Sequence, residues 1–212
     1  MESSLNDELD GKLRVITAQT LGHYNGKSKE FWQGTKDHDV TQNIESLLSH
    51  IQGDGPFDIL DFGCGPGRDI KSFFKLGHRV VGLDGCENFV AMAKELTSCE
   101  VLHQNFLSLD LSQESFDGIF ANASLFHVPA RELTSVLKKL HKSLRPSGIL
   151  FSSNPRGDRE GWSGDRWGNY MEIETYRKYL EDSGFELIHH YYRPEGVPIE
   201  QRPWLATLAK KI

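Results

Sequence analysis

Three glycines at alternate positions follow an acidic residue at the end of an apolar segment. The pattern is Asp61-x-Gly63-x-Gly65-x-Gly67. Glycine has no Cβ, so such a loop can adopt positive φ angles and can bring its backbone close to a ligand. At the carboxyl edge of a parallel sheet, a loop of this kind is where nucleotide-like ligands bind. The four residues therefore predict a ligand-binding turn, and their spacing bears on the type of ligand.

The spacing of these glycines differs from that of two common phosphate-binding loops. A dinucleotide loop has the form G-x-G-x-x-G, and its last glycine would fall on Arg68 or Ile70 here. A P-loop would end in Gly-Lys-Ser/Thr, and this loop does not. The form D-x-G-x-G-x-G resembles the signature of class I S-adenosylmethionine (SAM)-dependent methyltransferases, whose loop cups the amino acid part of the cofactor. A tight turn without a ligand is the alternative for this motif alone.

A second acidic residue ends the next apolar segment, Arg79–Asp84, and Gly85 follows it. In a parallel sheet its carboxylate would lie beside the glycine loop and could accept hydrogen bonds from both hydroxyls of a ribose. The alternative is that Asp84 caps a helix that begins near Glu87. We favour the ribose role because the offset from the glycine loop matches a βαβ unit.

Two further apolar segments end in polar residues at the same predicted edge. Asn105 and Phe106 follow Glu100–His103, where class I methyltransferases usually present an acidic or amide side chain to the adenine amino group. An amide oxygen can accept that hydrogen bond, and a phenyl ring can pack on the base. Asn122 ends Phe116–Asn122, in the segment that this family places between cofactor and acceptor. We therefore expect Asn122 to face the methyl donor.

Helical patterns alternate with these strands. Apolar residues recur at helical spacing over residues 40–51 and 131–144, and a Pro-Ser-Gly stop follows the second helix. After a helix at 172–183, strands at 185–192 and 204–209 resemble the closing antiparallel hairpin of the family. The predicted fold class is α/β, namely a Rossmann-like, doubly wound and mostly parallel sheet with an antiparallel C-terminal hairpin.

Length and composition limit the domain count and the partners. The 212 residues, 38% hydrophobic, suit one domain, 1–212, with an N-terminal lid segment at 1–39 and a Rossmann-like core at 40–212. The net charge of −6 and the lack of a basic run argue against nucleic acid. No apolar segment approaches the roughly 20 residues of a membrane span. We predict a cytoplasmic location, no membrane contact and, from the cysteine spacing, no metal site.

Two polar clusters outside the strand ends are candidates for acceptor binding. The first precedes the first strand and consists of Tyr24, Trp32, Asp37 and His38. The second follows the fifth strand and consists of Asn154, Arg156 and Tyr170. Arg156 is a candidate carboxylate clamp, since a guanidinium pairs bidentately with a carboxylate. The alternatives are a solvated loop in which Asp39 caps a helix, and a packed lid in which Arg166 is a surface charge.

Four segments resemble one group within the methyltransferase family. They are residues 31–40 (FWQGTKDHDV), 65–69 (GPGRD), 120–129 (FANASLFHVP) and 151–157 (FSSNPRG). These segments resemble the methyltransferase domain of ovothiol biosynthesis, and the similarity covers most of residues 24–209. That domain is usually the C-terminal part of a bifunctional sulfoxide synthase. It methylates the imidazole π nitrogen of 5-thiohistidine.

Together with the strand-end positions, this resemblance implies SAM as the donor, S-adenosylhomocysteine as the product and 5-thiohistidine as the small-molecule acceptor. The predicted cofactor-binding residues are Trp32, Asp61, Gly63, Cys64, Gly65, Arg68, Asp84, Gly85, Asn105, Phe106 and Asn122. The predicted acceptor-binding residues are Tyr24, Phe126, His127, Asn154, Arg156 and Tyr170. The predicted catalytic residues are Asp37, His38 and Asn122, since a base beside the acceptor could remove a ring proton.

Other functions stay open from the sequence. They are methyl transfer to another small metabolite, methyl transfer to a protein, and SAM binding without catalysis. A protein acceptor would need an open peptide groove, whereas residues 154–170 resemble a closing lid. A noncatalytic binder would not need polar residues around the methyl group. His127 has the further alternative of a purely structural histidine.

Overall fold

A seven-stranded sheet forms the centre of the molecule. The structure, a computed structural model, describes the backbone of residues 2–212 and the side chains of residues 9–212. The strands of this sheet are β1 (Asp58–Phe62), β2 (Arg79–Asp84), β3 (Glu100–His103), β4 (Phe116–Asn122), β5 (Leu144–Pro155), β8 (Phe185–Arg193) and β9 (Trp204–Lys211). A separate hairpin, β6 (Glu160–Ser163) with β7 (Arg166–Asn169), follows β5.

The strand order is β3-β2-β1-β4-β5-β9-β8. The first five strands in this order are parallel, and β9 runs antiparallel to both β5 and β8. The chain therefore winds outward from β1 in one direction and from β4 in the other. A crevice opens at such a switch point, outside the carboxyl ends of the strands. The predicted doubly wound sheet with its closing antiparallel hairpin is confirmed.

Helices cover both faces of the sheet. They are α1 (Glu2–Gly26), α2 (Ser28–Thr35), α3 (Thr41–Leu48), α4 (Arg68–Lys75), α5 (Glu87–Thr97), α6 (Ala130–Ser143) and α7 (Ile173–Glu181). Residues such as Leu47 of α3 and Phe73 of α4 are fully buried on one face, and Leu137 of α6 and Tyr176 of α7 on the other. The apolar stripes that predict α3 and α6 therefore face the core, and both helices end within a few residues of their predicted bounds.

The N-terminal segment consists of two helices rather than a loop. Helix α1 lies against the β6–β7 hairpin, where the amide of Trp167 donates to Thr20 Oγ1 over 3.0 Å. Leu21 of α1 lies above Gly85, where a Cβ would come within 3.0 Å of it. Helix α1 and the hairpin thus lie together over the carboxyl edge of the sheet. No helix in the described part of the chain is long and apolar enough to cross a membrane.

Candidate functional site

A cavity of about 630 Å³ opens at the carboxyl ends of the parallel strands. Its floor is formed by the glycine loop and by the ends of β2 and β4, and its roof by α1, α2 and the hairpin. The volume falls in the range of about 300–1,000 Å³ that is typical of sites for small molecules and cofactors. Of the strand-end residues predicted from sequence, Asp84, Asn105, Phe106 and Asn122 therefore meet at one cavity.

The glycine loop at the floor of the cavity requires glycine for steric reasons. Gly63 has φ +78°, and a Cβ there would lie 2.3 Å from the Cβ of Ser124. Gly67 has φ +94°, and a Cβ there would lie 3.0 Å from Ala93. Both φ values lie in the left-handed region, which glycine adopts without steric penalty. The backbone of the loop is thereby exposed to a ligand, as the sequence predicts.

Asp84 supports the loop and also lies in the cavity wall. Its Oδ2 accepts a hydrogen bond from the Gly65 amide over 2.9 Å, and its Oδ1 accepts one from the Cys86 amide over 2.8 Å. Burial raises the pKa of Asp84 to about 6, although these amides act in the opposite direction. The bond to Cys86 lies before the first turn of α5, and the N-cap residue of that helix is Cys86, so the alternative in which Asp84 is its cap is wrong. The carboxylate lies in the cavity wall at the position expected for ribose binding.

Asp61 lies behind the loop and does not line the cavity. It is 1% exposed, and its Oδ2 has no hydrogen-bond partner among the described residues. Burial and the nearby charge of Asp69 hold the pKa of Asp61 well above its usual range. Direct cofactor contact by Asp61 is therefore not supported, because the loop that follows it covers the carboxyl group.

Arg68 joins the start of α4 to α2. Its guanidinium forms a bidentate ion pair with Asp69, with distances of 2.6 and 2.9 Å, and its Nη1 donates to the carbonyl oxygen of Thr35 over 2.9 Å. The ion pair neutralises the charge of Arg68 within the molecule. The predicted cofactor residues Trp32, Cys64 and Gly85 also line the cavity, as do Arg68 and Asp69.

Asn105 and Phe106 form the end of the cavity beyond β2. Phe106 stacks on Phe62, with ring centroids 4.2 Å apart, so its ring is fixed from behind. Asn105 Oδ1 accepts a hydrogen bond from the Leu107 amide over 3.0 Å. The oxygen predicted to accept from adenine is thus already used to cap a short 3-10 helix, and a second lone pair remains for a ligand.

Tyr24 and His127 form a hydrogen-bonded pair in the cavity wall. His127 Nδ1 lies 2.6 Å from the carbonyl oxygen of Trp167, and His127 Nε2 lies 2.8 Å from the Tyr24 hydroxyl. Since a carbonyl can only accept, Nδ1 carries the proton and Nε2 accepts from Tyr24. Burial lowers the pKa of His127 to about 4, so its ring is neutral near pH 7.

Arg166 lies beside this pair. Its Nη1 donates to the Tyr24 oxygen over 3.4 Å, and no carboxylate lies within ion-pair distance of it among the described side chains. Burial raises the pKa of Tyr24, and the hydrogen bond from Arg166 acts against that rise. Arg166 lines the cavity and is therefore not the surface charge that the sequence allowed.

Amide side chains connect the middle of the cavity to its far end. Asn122 Oδ1 accepts from Asn43 over 3.1 Å, and Asn122 Nδ2 donates to Asp69 over 3.2 Å. Asn43 Oδ1 in turn accepts from Arg193 Nη1 over 2.9 Å and from the Tyr191 hydroxyl over 3.0 Å. Asn122 lines the cavity as predicted, and these bonds fix its amide orientation.

Several predicted acceptor residues lie outside the cavity. Arg156 forms an ion pair with Glu172 at 3.0 Å, donates to the carbonyls of residues 199 and 202, and stacks on Tyr192, so it is not free to clamp a ligand. Asn154 is 6% exposed and accepts from the Phe126 amide over 3.1 Å. These side chains stabilise neighbouring segments instead of binding an acceptor.

Tyr170 and Asp37 also differ from the prediction. Tyr170 lies behind Phe126, with ring centroids 6.0 Å apart, and carries the Arg159 guanidinium on its face. Asp37 is exposed on the turn after α2 and does not reach the cavity, whereas the next residue, His38, lines it. Phe126 lines the cavity as predicted. The sequence places these residues near the right edge of the sheet, but it does not determine which side chain points inward.

Many lining residues were not assigned to the site from sequence. Polar and aromatic examples are Thr17, Thr20, Asp39, Arg166, Arg193 and Trp204. The first two belong to α1, and Arg193 and Trp204 lie opposite each other where β8 pairs with β9. No local motif marks them. A long helix packed over the strand ends would have been the signal for the threonines.

Comparison with known proteins relates part of the chain to methyltransferases. Residues 60–152 match a family model described as a methyltransferase domain. The chain is 26% identical over 197 residues to sterol 24-C-methyltransferase ERG6A of Gibberella zeae, which covers 79% of this chain and 50% of that protein. It is 26% identical over 138 residues to phosphoethanolamine N-methyltransferase of Plasmodium falciparum, which covers 62% and 52%. The chain thus spans about half the length of these curated relatives.

A solved structure shares the fold over almost the whole chain. It is the 1,6-didemethyltoxoflavin-N1-methyltransferase of Burkholderia thailandensis with bound 1,6-didemethyltoxoflavin and S-adenosylhomocysteine. The TM-score is 0.76 at 20% identity, over 95% of this chain and 89% of that chain. The fold around residues 60–152 is therefore the Rossmann-like methyltransferase fold.

Proposed function

We propose that this chain, a SAM-dependent methyltransferase of class I, methylates the imidazole π nitrogen of the small molecule 5-thiohistidine. The observation that carries a transfer function is the neutral Tyr24–His127 pair, which lies in the same cavity as the glycine loop. A protein that only binds SAM would not need a proton-accepting pair at that place. The family resemblance in residues 31–40, 120–129 and 151–157 supports the particular acceptor.

The residues of the donor side fit SAM. The exposed backbone at Gly63 and Gly65 would hold the amino acid part, and Asp84 would accept from the ribose hydroxyls. Phe106 offers a fixed aromatic face to the adenine, and Asn105 offers its remaining lone pair. When bound, SAM would supply a methyl carbon that a nitrogen lone pair can attack in line, with the positively charged sulfur as the leaving group.

The Tyr24–His127 pair would remove a proton from the acceptor. The Tyr24 oxygen accepts that proton while its own proton passes to Nε2 of His127. The Nδ1 proton stays on the ring, hydrogen-bonded to the Trp167 carbonyl, so Nε2 is the nitrogen that takes the Tyr24 proton. Because burial lowers the pKa of His127 to about 4, this ring would be charged only transiently during the transfer. Arg166 stabilises negative charge that develops on the Tyr24 oxygen. Proton transfer of this kind typically contributes about 10²- to 10⁴-fold to a rate.

Positioning supplies the rest of the rate increase. Holding a nucleophile in line with its target can contribute about 7–11 kcal/mol. Asn122, fixed between Asn43 and Asp69, would orient the acceptor beside the donor, and His38 would contact it at the cavity mouth. We propose that residues 1–39 act as a lid on a single domain, because α1 and α2 roof the cavity. The resemblance supports the further proposal that the chain works within a longer bifunctional enzyme.

A second candidate function is N-methylation of a phosphorylated small amine. The phosphoethanolamine N-methyltransferase of Plasmodium falciparum is among the relatives, and Arg166 and Arg193 line the cavity without a carboxylate partner among the described side chains. Guanidinium groups bind phosphate and carboxylate equally well. The two candidates differ in the acceptor alone.

Calorimetry in two stages tests the proposal. SAM and S-adenosylhomocysteine are titrated first, and each is expected to bind. The complex with S-adenosylhomocysteine is then titrated with 5-thiohistidine, histidine, cysteine and phosphoethanolamine, and 5-thiohistidine is expected to bind most tightly. No heat with SAM would contradict the donor assignment. Tighter binding of phosphoethanolamine would select the second candidate.

A further inference from the structure

The end of the cavity away from the glycine loop carries one acidic and one basic side chain that form no ion pair with each other. Arg193 and Asp39 both line it, and the charge of Arg193 reaches Asp39 without an ion pair between them. Neither has an oppositely charged partner within ion-pair distance among the described side chains. The third cavity arginine, Arg68, differs because its charge is neutralised by Asp69.

Arg193 lies on the acceptor side of the cavity. It ends β8, which lies four strands from β1 in the sheet, so its backbone is roughly 19 Å from β1 at ~4.8 Å per strand. Its side chain reaches back toward the middle of the cavity, where Nη1 donates to Asn43 and Asn43 donates to Asn122. Trp204, directly opposite Arg193 in the β8–β9 pair, also lines this end.

The guanidinium of Arg193 is held by one nitrogen only. Nη1 donates to Asn43 Oδ1, which the Tyr191 hydroxyl also contacts, while Nε and Nη2 make no hydrogen bond to the described residues. The two free nitrogens are those that a planar carboxylate can bridge. The same Asn43 donates to Asn122, so the position of Arg193 is linked to that of Asn122 in the middle of the cavity.

Asp39 is ionised at neutral pH and has one oxygen committed. Its Oδ1 accepts from the Thr41 amide over 2.9 Å at the start of α3, which fixes the carboxylate relative to the cavity. Hydrogen bonding to Thr41, with a smaller effect of Arg193, holds the pKa of Asp39 below its usual value. Its Oδ2 is free to accept from an ammonium group.

We infer that Arg193 and Asp39 bind the zwitterionic head of an α-amino acid acceptor, with the carboxylate on Arg193 and the α-ammonium group on Asp39. The inference rests on the proposed function only in that the cavity also holds the donor. Arg193 thus takes the role of carboxylate clamp that the sequence predicted for Arg156. With the head group bound there, the side chain of the acceptor points past Asn122 toward the donor and the Tyr24–His127 pair.

The test uses acceptor analogues that lack one charge. Histidine, histamine and imidazole-4-propionate are titrated by calorimetry into the protein saturated with S-adenosylhomocysteine, and the matched 5-thio compounds are titrated where available. Arg193→Gln is expected to weaken the binding of the two compounds that carry a carboxylate, histidine and imidazole-4-propionate, roughly 10- to 100-fold. The affinity for histamine is expected to stay unchanged. Asp39→Asn is expected to weaken the binding of the two compounds that carry an amino group, histidine and histamine. The affinity for imidazole-4-propionate is expected to stay unchanged.

A matched control and a second readout separate binding from folding. Arg159→Gln removes an exposed guanidinium that lies on Tyr170 outside the cavity, and it is expected to change none of the affinities. All variants are also checked for melting temperature and for S-adenosylhomocysteine affinity. Equal weakening of all analogues by Arg193→Gln, or an unchanged preference for carboxylates, would overturn the inference.

The inference and the proposed function fail in different ways. The common L-amino acids and their decarboxylated amines are compared by thermal shift in the presence of S-adenosylhomocysteine. If 5-thiohistidine is not methylated but another amino acid shows the Arg193-dependent preference, the acceptor is wrong and the head-group site stands. If no amino acid binds better than its decarboxylated amine, the head-group site is wrong, even where methylation of an imidazole occurs.

Discussion

The two ends of the cavity differ in their balance of charge. At the end with the glycine loop, where we expect the donor, Asp61, Asp69 and Asp84 lie within or behind the loop, and Arg68 is paired with Asp69. At the other end, where we expect the acceptor, Arg166 and Arg193 line the wall without carboxylate partners among the described side chains, and Asp39 lies beside Arg193 without an ion pair. A cationic sulfonium suits the acidic donor end, and a zwitterionic head group suits Arg193 and Asp39 at the acceptor end. We therefore expect each substrate to bind at its own end of the cavity.

The two ends also differ in how the chain builds them. The donor end comes from consecutive strand-to-helix turns after β1, β2 and β3, each with its polar residue at the strand end. The acceptor end joins α1, the β6–β7 hairpin and the end of β8, which are far apart in sequence. Contacts between distant segments, such as Tyr24 with His127, form it. A donor site of this type is therefore local, whereas the acceptor site depends on tertiary packing.

The largest expected effect concerns proton removal at the acceptor end. Tyr24→Phe keeps the ring contacts of Tyr24 with Phe31 and Phe89 but removes the hydroxyl between the acceptor and His127. We expect kcat to fall about 100- to 1,000-fold with SAM affinity unchanged within threefold. Single-turnover kinetics and calorimetry measure both quantities.

The partner variant His127→Asn tests whether the pair acts as a unit. It should lower kcat to a similar extent, and the double variant should be little worse than either single one. Turnover of Tyr24→Phe within twofold of the wild type would show that the acceptor end needs no base there, and the contrast between the two ends would then be one of charge alone.

A smaller effect is expected at the donor end. Asp84→Asn retains an oxygen for a backbone amide but removes the charge that would face the ribose. We expect SAM affinity to fall roughly 10- to 100-fold, with the binding preference among acceptor analogues unchanged. Calorimetry with SAM measures the change, and Asp54→Asn, at an exposed position outside the cavity, is the control. Equal loss of SAM affinity in both variants would contradict a local role for Asp84.

The fold and the donor end follow from the sequence more directly than the acceptor end. The alternation of apolar strands with helices, and the acidic residue after each of the first two strands, predict the sheet and the places of Gly63 and Asp84. Helix α1 was not predicted, because Thr17, Thr20 and Tyr24 interrupt its apolar face with polar residues that line the cavity. The sequence predicts Arg156 as the carboxylate clamp and marks Arg193 with no motif, and the pairing of Arg156 with Glu172 is a tertiary contact that the sequence does not reveal.

The smallest expected effect is on stability against pH, where the two ends oppose each other. The pKa of His127 falls to about 4 in the folded state from 6.5, so the unfolded state binds more protons between these values and stability is lost as pH falls from 6.5. The pKa of Asp84 rises to about 6 from 3.8, so the folded state binds more protons and gains stability as pH falls from 6.

Denaturant unfolding at pH 7 and pH 5 measures these contributions. Between pH 7 and pH 5, the protonation of His127 is expected to lower the free energy of unfolding by about 2 kcal/mol. The protonation of Asp84 is expected to raise it by about 1 kcal/mol. His127→Asn should therefore tolerate pH 5 better than the wild type, and Asp84→Asn should tolerate it less well. Parallel pH dependence of the two variants would show that the two ends do not differ in this way.

Direct observation of the product tests the central claim. The protein is incubated with SAM and either 5-thiohistidine or histidine, and the methylated position is identified by mass spectrometry and NMR. We predict methylation of the π nitrogen of 5-thiohistidine, with one S-adenosylhomocysteine formed for each methyl group, and much slower reaction with histidine. Unmodified 5-thiohistidine in the presence of protein that binds SAM would contradict the account.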